Sequence, residues 1–364
     1  MSKTAQLQAL GQSLWLDNIS RDMFATGTLR RYIDEYSITG LTSNPTIFDE
    51  AIGHTDAYDD GIRKHAKSGK RGEALFMELA LEDLRRAADL FQPVFDATEE
   101  VDGWVSMEVS PLLATDTKGS VAAAIQIHKQ AARRNLFVKI PGTPEGIQAI
   151  EDSIFGGVPI NVTLLFSRDQ YVAAAEAYLR GIERRLSAGL SPHVGSVASL
   201  FVSRWDKAVA ERVPAELRNQ LGLAVSGQTY RAYRELLASP RWQKLAAAGA
   251  KPQRLLWAST GTKDPNASDT LYIEGLAAPD TIDTIPEKTL HAFADHGKLK
   301  GVMAESGGNA DAVLNQFSKA GIDVVALAVQ LQREGAQAFV KSWQQLMQRI
   351  NDKSLTLANA GAAT

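Results

Sequence analysis

A single lysine sets the chemical possibilities of this sequence. Lys139 lies in Phe137-Val138-Lys139-Ile140, with apolar residues on both sides and Pro141-Gly142 just after it. The run reads as a buried strand, and burial disfavours a charged amine. A desolvated lysine is a nucleophile towards ketones. It condenses to a Schiff base, and the protonated imine draws electrons from a neighbouring carbon–carbon bond without metal or cofactor. Each step of that chemistry moves a proton, so acid/base groups must stand nearby. Asp17 in "SLWLDNI" and Glu108 in "SMEVS" are the available carboxylates, the second one between apolar neighbours. The competing reading is structural: Lys139 serves as counter-ion to Asp17 or Glu108, and Asp17 caps the helix that follows it.

Positioning these groups requires strands whose ends meet. Eight β-rich runs recur, at 13–19, 38–45, 103–110, 136–142, 158–166, 194–203, 254–260 and 280–286. Between them, stretches such as "EALFMELALEDLRRAADLFQPVF" and "SVAAAIQIHKQAARRN" space apolar residues at i, i+3, i+4, the helical period. Alternating strands and helices predict parallel βαβ units, and eight units predict a closed (β/α)8 TIM barrel of the α/β class with additional helices. An open doubly wound sheet is the runner-up, but no G-x-G-x-x-G follows the first strand. The whole chain, 1–364, reads as one barrel domain, with a helical insertion around 206–250 and a frayed tail around 355–364. In such barrels chemistry sits at the C-terminal strand ends. Those ends carry Asp17, Asn44, Glu108, Lys139, Asn161, Thr163, Ser199, Phe201, Arg204 and Ser259. Buried polar groups are costly unless paired, so this ring predicts a polar ligand at its centre.

Composition removes several alternatives. The 364 residues carry a formal net charge of −3, so no overall basic field recruits nucleic acid or anionic lipid. There are no cysteines, which excludes thiolate metal sites and thiol catalysis and fits a reducing, cytoplasmic compartment. The six histidines are scattered without metal-ligand spacing, so neither a metal nor a cofactor is expected. No apolar run reaches membrane-spanning length, and the N-terminus has no signal-type apolar core. The six tryptophans read as packing residues.

Five motifs, "GLTSNPTIF", "VSMEVSP", "FVKIPGT", "INVTLLFS" and "ASTGTKDP", occur in order at the strand positions. Together they resemble the transaldolase family, over about Leu14 to Gly297, in its longer-chain bacterial subfamily. The resemblance implies Lys139 as the Schiff-base lysine and Asp17 as an acid/base group. It makes Glu108 a residue acting through a water, and Thr163 the hydroxyl that holds this water. Asn44 and Asn161 would bind the hydroxyls of a dihydroxyacetone unit. Ser199, Phe201 and Arg204 would form the strand-six cluster, with Arg204 on the substrate phosphate and Ser259 as a second phosphate-side hydroxyl. Many family members continue the seventh strand as Ser-Phe-Arg. Here Ser259-Thr260-Gly261 stands instead, and Lys263 is expected to supply the charge unless it is a solvated loop lysine.

The implied activity is transfer of a dihydroxyacetone unit from sedoheptulose 7-phosphate or fructose 6-phosphate to glyceraldehyde 3-phosphate or erythrose 4-phosphate, in the pentose phosphate pathway. Small sugar phosphates are the implied partners, with the chain a monomer or a homodimer. A related fructose 6-phosphate aldolase activity is the alternative. Those enzymes carry Gln and Tyr where this chain has Glu108 and Phe201, so both positions favour transfer. A non-catalytic sugar-phosphate-binding barrel is the other alternative.

Overall fold

Each β-rich run forms a strand, trimmed at its ends. The computed structural model describes residues 2–362. Its strands are β1 (Ser13–Asp17), β2 (Ile38–Thr42), β3 (Val105–Glu108), β4 (Leu136–Pro141), β5 (Ile160–Leu165), β6 (Ser196–Phe201), β7 (Gln253–Ala258) and β8 (Ile282–Ile285). They close into a barrel in chain order, and every neighbouring pair is parallel, β1 with β8 included. This is the eight-stranded barrel predicted above. Among the described residues, no single helix is long and apolar enough to cross a membrane.

The two-residue strand period sorts side chains by height inside the barrel. Trp15 and Phe137 stack across the lower interior at 6.2 Å, and Phe137 stacks on Trp104 at 3.9 Å. Two residues further along the same strands stand Asp17 and Lys139. The barrel therefore has an aromatic floor and a polar top. Gly40 makes room for this floor: a Cβ there would lie 2.5 Å from the Trp15 indole. All six tryptophans are buried.

Below the aromatic layer the barrel is sealed by one ion pair. Asp102 accepts hydrogen bonds from Ser13 Oγ (2.6 Å), Trp15 Nε1 (3.0 Å) and Arg254 Nη1 (3.2 Å). Arg254 Nη2 donates to Ser13 Oγ and to the Thr281 carbonyl. Removing one partner of such a pair strands the other charge in the interior. Asp102→Ala is expected to cost about 3–5 kcal/mol of stability, read as a lower urea midpoint. The folded fraction should keep its turnover, because this end of a barrel carries stability and not chemistry.

The predicted insertion carries the helices Ser203–Val209, Leu221–Ala238 and Pro240–Ala247. It is fastened by Asp206, which accepts from the backbone N–H of Leu221 (2.8 Å) and Gly222 (3.2 Å) and from Tyr272 Oη (2.8 Å). The tail expected to fray from about 355 lies partly within the described residues. They continue a helix, Val324–Ala362, while 363–364 lie outside the described range. This helix is tied to the helix Pro45–His54. Arg349 forms a bidentate pair with Asp49, and Lys353 donates to the carbonyls of Ile52 and Thr55. Trp343 packs edge-on against Phe76.

Candidate active site

The strand ends converge on a cavity of about 270 Å³ at the top of the barrel. Its lining includes Asp17, Asn44, Lys139, Thr163, Ser199, Phe201, Arg204, Ser259 and Lys263. Glu108 and Asn161, the two remaining candidates, do not line it and are buried beside it. The register explains the grouping: Glu108 of β3 is level with Lys139 of β4, which is level with Asn161 of β5. A larger surface groove, of about 760 Å³ and lined by Arg168, Asp169, Val325 and Val329 among others, contains none of these residues.

Lys139 is 6 % exposed. Its Nζ donates to the Ser43 carbonyl at 3.1 Å and stands 3.8 Å from Glu108 Oε2, beyond hydrogen-bond range. Glu108 Oε2 is buried and accepts no hydrogen bond from the protein. Burial pushes the Glu108 carboxyl up to about 7; the Lys139 charge pulls it down and Asp17 pushes it further up. Asp17 is also raised, again chiefly by burial, against the lowering pull of Lys139, the Thr42 hydroxyl and Lys263. Thr42 Oγ1 donates to Asp17 Oδ1 at 2.7 Å. A hydroxyl has one proton to give, so in the 2.6 Å contact between Thr42 and Thr284 the donor is Thr284. Two carboxyls with raised pKa values thus flank one buried amine, an arrangement suited to moving protons around a nucleophile.

The amides differ from each other. Asn44 caps the helix Pro45–His54, its Oδ1 accepting from Ile47 N at 3.1 Å. That turns its NH2 group loose for a ligand oxygen. Asn161, expected on the ligand, lies one layer down. It donates to Ser106 Oγ (3.1 Å) and accepts from Ser199 Oγ (2.7 Å), so its contact with the cavity runs through Ser199. Thr163 faces the cavity, and its Oγ1 is buried without a protein partner.

The cationic side of the cavity is built by β6 and β7. Arg204 follows β6 in the helix Ser203–Val209, its guanidinium 5.1 Å from the Phe201 ring and 5.9 Å from the Phe339 ring. Burial alone acts on its pKa, lowering it with no carboxylate partner, so its charge is open to a ligand. Ser259 sits at φ +55° and shares a 3.0 Å hydrogen bond with Ser203. Lys263 stands at the mouth, its pKa lowered first by burial and then by repulsion from Arg204 and Lys207. Asn219 Nδ2 donates to Asp264 at 2.8 Å, which ties the Lys263 loop to the insertion. The insertion therefore braces both cations, Arg204 through Asp206 and Lys263 through Asn219.

Sequence reasoning left two kinds of lining residue out of the candidate site. Thr42 and Thr284 are strand-end polar residues, and the strand-end rule applied to β8 would have found Thr284. Phe339 comes from the helix Val324–Ala362, which crosses over the cavity. Gly335 permits this approach: a Cβ there would lie 2.9 Å from Leu164 Cδ2 and 3.1 Å from Arg204 Nη1. No local signal marks a helix residue far along the chain as part of a barrel mouth.

Comparison with known proteins gives a consistent result. The family model described as Transaldolase/Fructose-6-phosphate aldolase matches residues 14–350. A protein named Transaldolase from Saccharopolyspora erythraea is 42 % identical over 363 residues, covering 97 % of this chain and 99 % of its own. One of the same name from Arthrobacter sp. is 43 % identical, covering 99 % of both chains. Another, from Thiobacillus denitrificans, is 41 % identical, covering 96 % of this chain and all of its own.

Proposed function

Since this chain belongs to the transaldolase/fructose-6-phosphate aldolase family, we propose that it is a transaldolase working through a Schiff base on Lys139. The observation that carries this reading is one buried amine, Lys139, between two carboxyls of raised pKa in a cavity whose far wall holds Arg204 and Lys263.

Lys139 Nζ adds to the C2 carbonyl of a ketose phosphate, and the carbinolamine loses water to give an iminium ion. Asp17 takes the proton from the C4 hydroxyl as the C3–C4 bond breaks. The bonding electrons flow into the iminium, leaving an enamine, and an aldose phosphate departs. Glu108 exchanges protons through a water shared with Thr163. The buried Glu108 Oε2 and Thr163 Oγ1, neither with a protein partner, support this role. Asn44 holds a hydroxyl of the retained three-carbon unit, and Ser199, steadied by Asn161, lines its other side. The enamine carbon then attacks the aldehyde of a second aldose phosphate, and hydrolysis frees Lys139. Sedoheptulose 7-phosphate or fructose 6-phosphate is the donor, and glyceraldehyde 3-phosphate or erythrose 4-phosphate the acceptor. The setting is the pentose phosphate pathway in the cytoplasm, with the chain a monomer or a homodimer.

Transfer requires the enamine to outlast the departure of the first product, so water must be managed between the half-reactions. The test is acceptor dependence. With fructose 6-phosphate alone, dihydroxyacetone should be released slowly, and erythrose 4-phosphate should start rapid turnover. Fast release without acceptor would favour the aldolase reading. Arg204→Ala should lower kcat/KM for fructose 6-phosphate roughly 10- to 100-fold, the worth of one charge-assisted hydrogen bond. Use of unphosphorylated fructose should change far less, as parallel steady-state assays will record.

A further inference from the structure

Gln332, on the helix Val324–Ala362, does not line the cavity, yet its side-chain NH2 group is committed beside it. Nε2 donates to the Gly142 carbonyl at 2.8 Å and to the Leu164 carbonyl at 3.0 Å. Gly142 directly follows Pro141, the last residue of β4, the strand of Lys139; Leu164 directly follows Thr163 on β5. One amide group thus joins the ends of the two strands that bear the lysine and the unpartnered hydroxyl.

The backbone at this point needs an outside partner. Leu164 adopts φ +58°, a left-handed conformation that costs a non-glycine residue energy and persists only where surroundings enforce it. The β5–β6 register shifts between Val162 and Leu165, so the ladder is interrupted there. The groups it frees are taken up one by one. Gln332 takes the Leu164 carbonyl, Gln170 Oε1 accepts from Phe166 N at 2.7 Å, and Trp205 Nε1 donates to the Phe166 carbonyl at 2.9 Å. Thr163 itself stays on the β4 side through its carbonyl, which accepts from Gly142 N at 2.8 Å. Its hydroxyl has no protein partner, so only the backbone aims it. The helix that supplies Gln332 is fixed independently by Arg349 on Asp49 and by Lys353 on the Ile52 and Thr55 carbonyls.

We propose that Gln332 is a positioning residue for the proton relay: by clamping the Gly142 and Leu164 carbonyls together, it holds the left-handed turn that directs Thr163 towards the Lys139 side of the cavity. The inference rests on the transaldolase reading and on the relay role of Thr163. Gln332→Met keeps the volume and removes both donated hydrogen bonds. It should lower kcat about 10- to 100-fold, with KM for fructose 6-phosphate within about threefold. Borohydride should still trap substrate on Lys139, and far-UV circular dichroism should remain unchanged. In a Thr163→Val background the same substitution should cost less than about twofold, because the group it aims is already gone.

A Gln332→Met enzyme with wild-type kcat would overturn the inference. So would a full Gln332→Met penalty persisting on top of Thr163→Val, which would make the clamp a general support while leaving the relay role standing. Wild-type kcat in Thr163→Val alone would remove the relay role and the inference together. The double-mutant cycle therefore separates failure of the clamp from failure of the mechanism beneath it.

Discussion

Lys139→Ala is expected to lower transfer of the three-carbon unit by a factor on the order of 10⁴ or more. No borohydride-stable adduct should form on the peptide containing residue 139. The size follows from the route: without the amine there is no covalent intermediate and no iminium to accept the electrons of the breaking C3–C4 bond. Among the described residues no other lysine lies on a strand of the barrel, and Lys263, the other amine lining the cavity, stands at its mouth. Lys139→Arg sharpens the result. A guanidinium keeps the charge opposite Glu108 but does not deprotonate in proteins, and so cannot act as the nucleophile. If Lys139 were a counter-ion, Lys139→Arg would retain substantial turnover; as a nucleophile, it should be as inactive as the alanine variant. A coupled assay and intact mass after reduction read both outcomes.

Glu108→Gln should reduce kcat roughly 100- to 1,000-fold, the usual contribution of a positioned acid/base group. The same substitution should change the pH profile. With its carboxyl pushed up to about 7, Glu108 takes up a proton as the pH falls from 8 to 6, and the base form disappears. The wild-type kcat/KM profile should therefore fall on its acid side with an inflection near 7, and the Gln variant should lose that inflection. Persistence of the inflection would assign it to another group. Stability should move in the opposite sense. The folded-state pKa lies above the ordinary 4.5, so the folded protein favours the protonated carboxyl. That favour is complete below about 4.5 and is lost as the pH rises through about 7. Glu108→Gln removes the loss, so at pH 8 the variant should be more stable than wild type by about 1–3 kcal/mol, with little difference at pH 4. Urea unfolding at the two pH values measures this. A variant that is less active and more stable would mark Glu108 as a group held in its site at a cost to the fold.

Much of the site was legible because strands alternate. Once "SLWLD", "VSME" and "LFVKIP" are read as neighbouring strands with apolar floors, Asp17, Glu108 and Lys139 must share the polar end, and they do. The same period could not separate the cavity wall from the layer beneath it. Asn161 and Ser199 both point inward, but only the hydrogen bond between them shows which one faces the cavity. The turn at Leu164 was invisible for a different reason. "NVTLLF" reads as an uninterrupted strand, and leucine carries no mark of a left-handed backbone of the kind glycine or asparagine would. The destination of the helix crossing the cavity was equally hidden. Which end of a barrel a terminal helix covers is set by anchors such as Arg349 on Asp49, three hundred residues apart in sequence. The tail "LTLANAGAAT" looks weakly committed by composition, and its first residues extend a helix already secured upstream.

The crossing helix has a consequence for how the enzyme comes into being. All eight strands are translated by Ile285, whereas Gln332, Gly335 and Phe339 leave the ribosome only with the final stretch of the chain. A domain folds as a unit, and synthesis delivers its N-terminal parts first. A nascent polypeptide therefore holds all eight strands before the residues that roof the mouth have been made. Closure of the mouth thus waits on a segment made after every strand of the barrel.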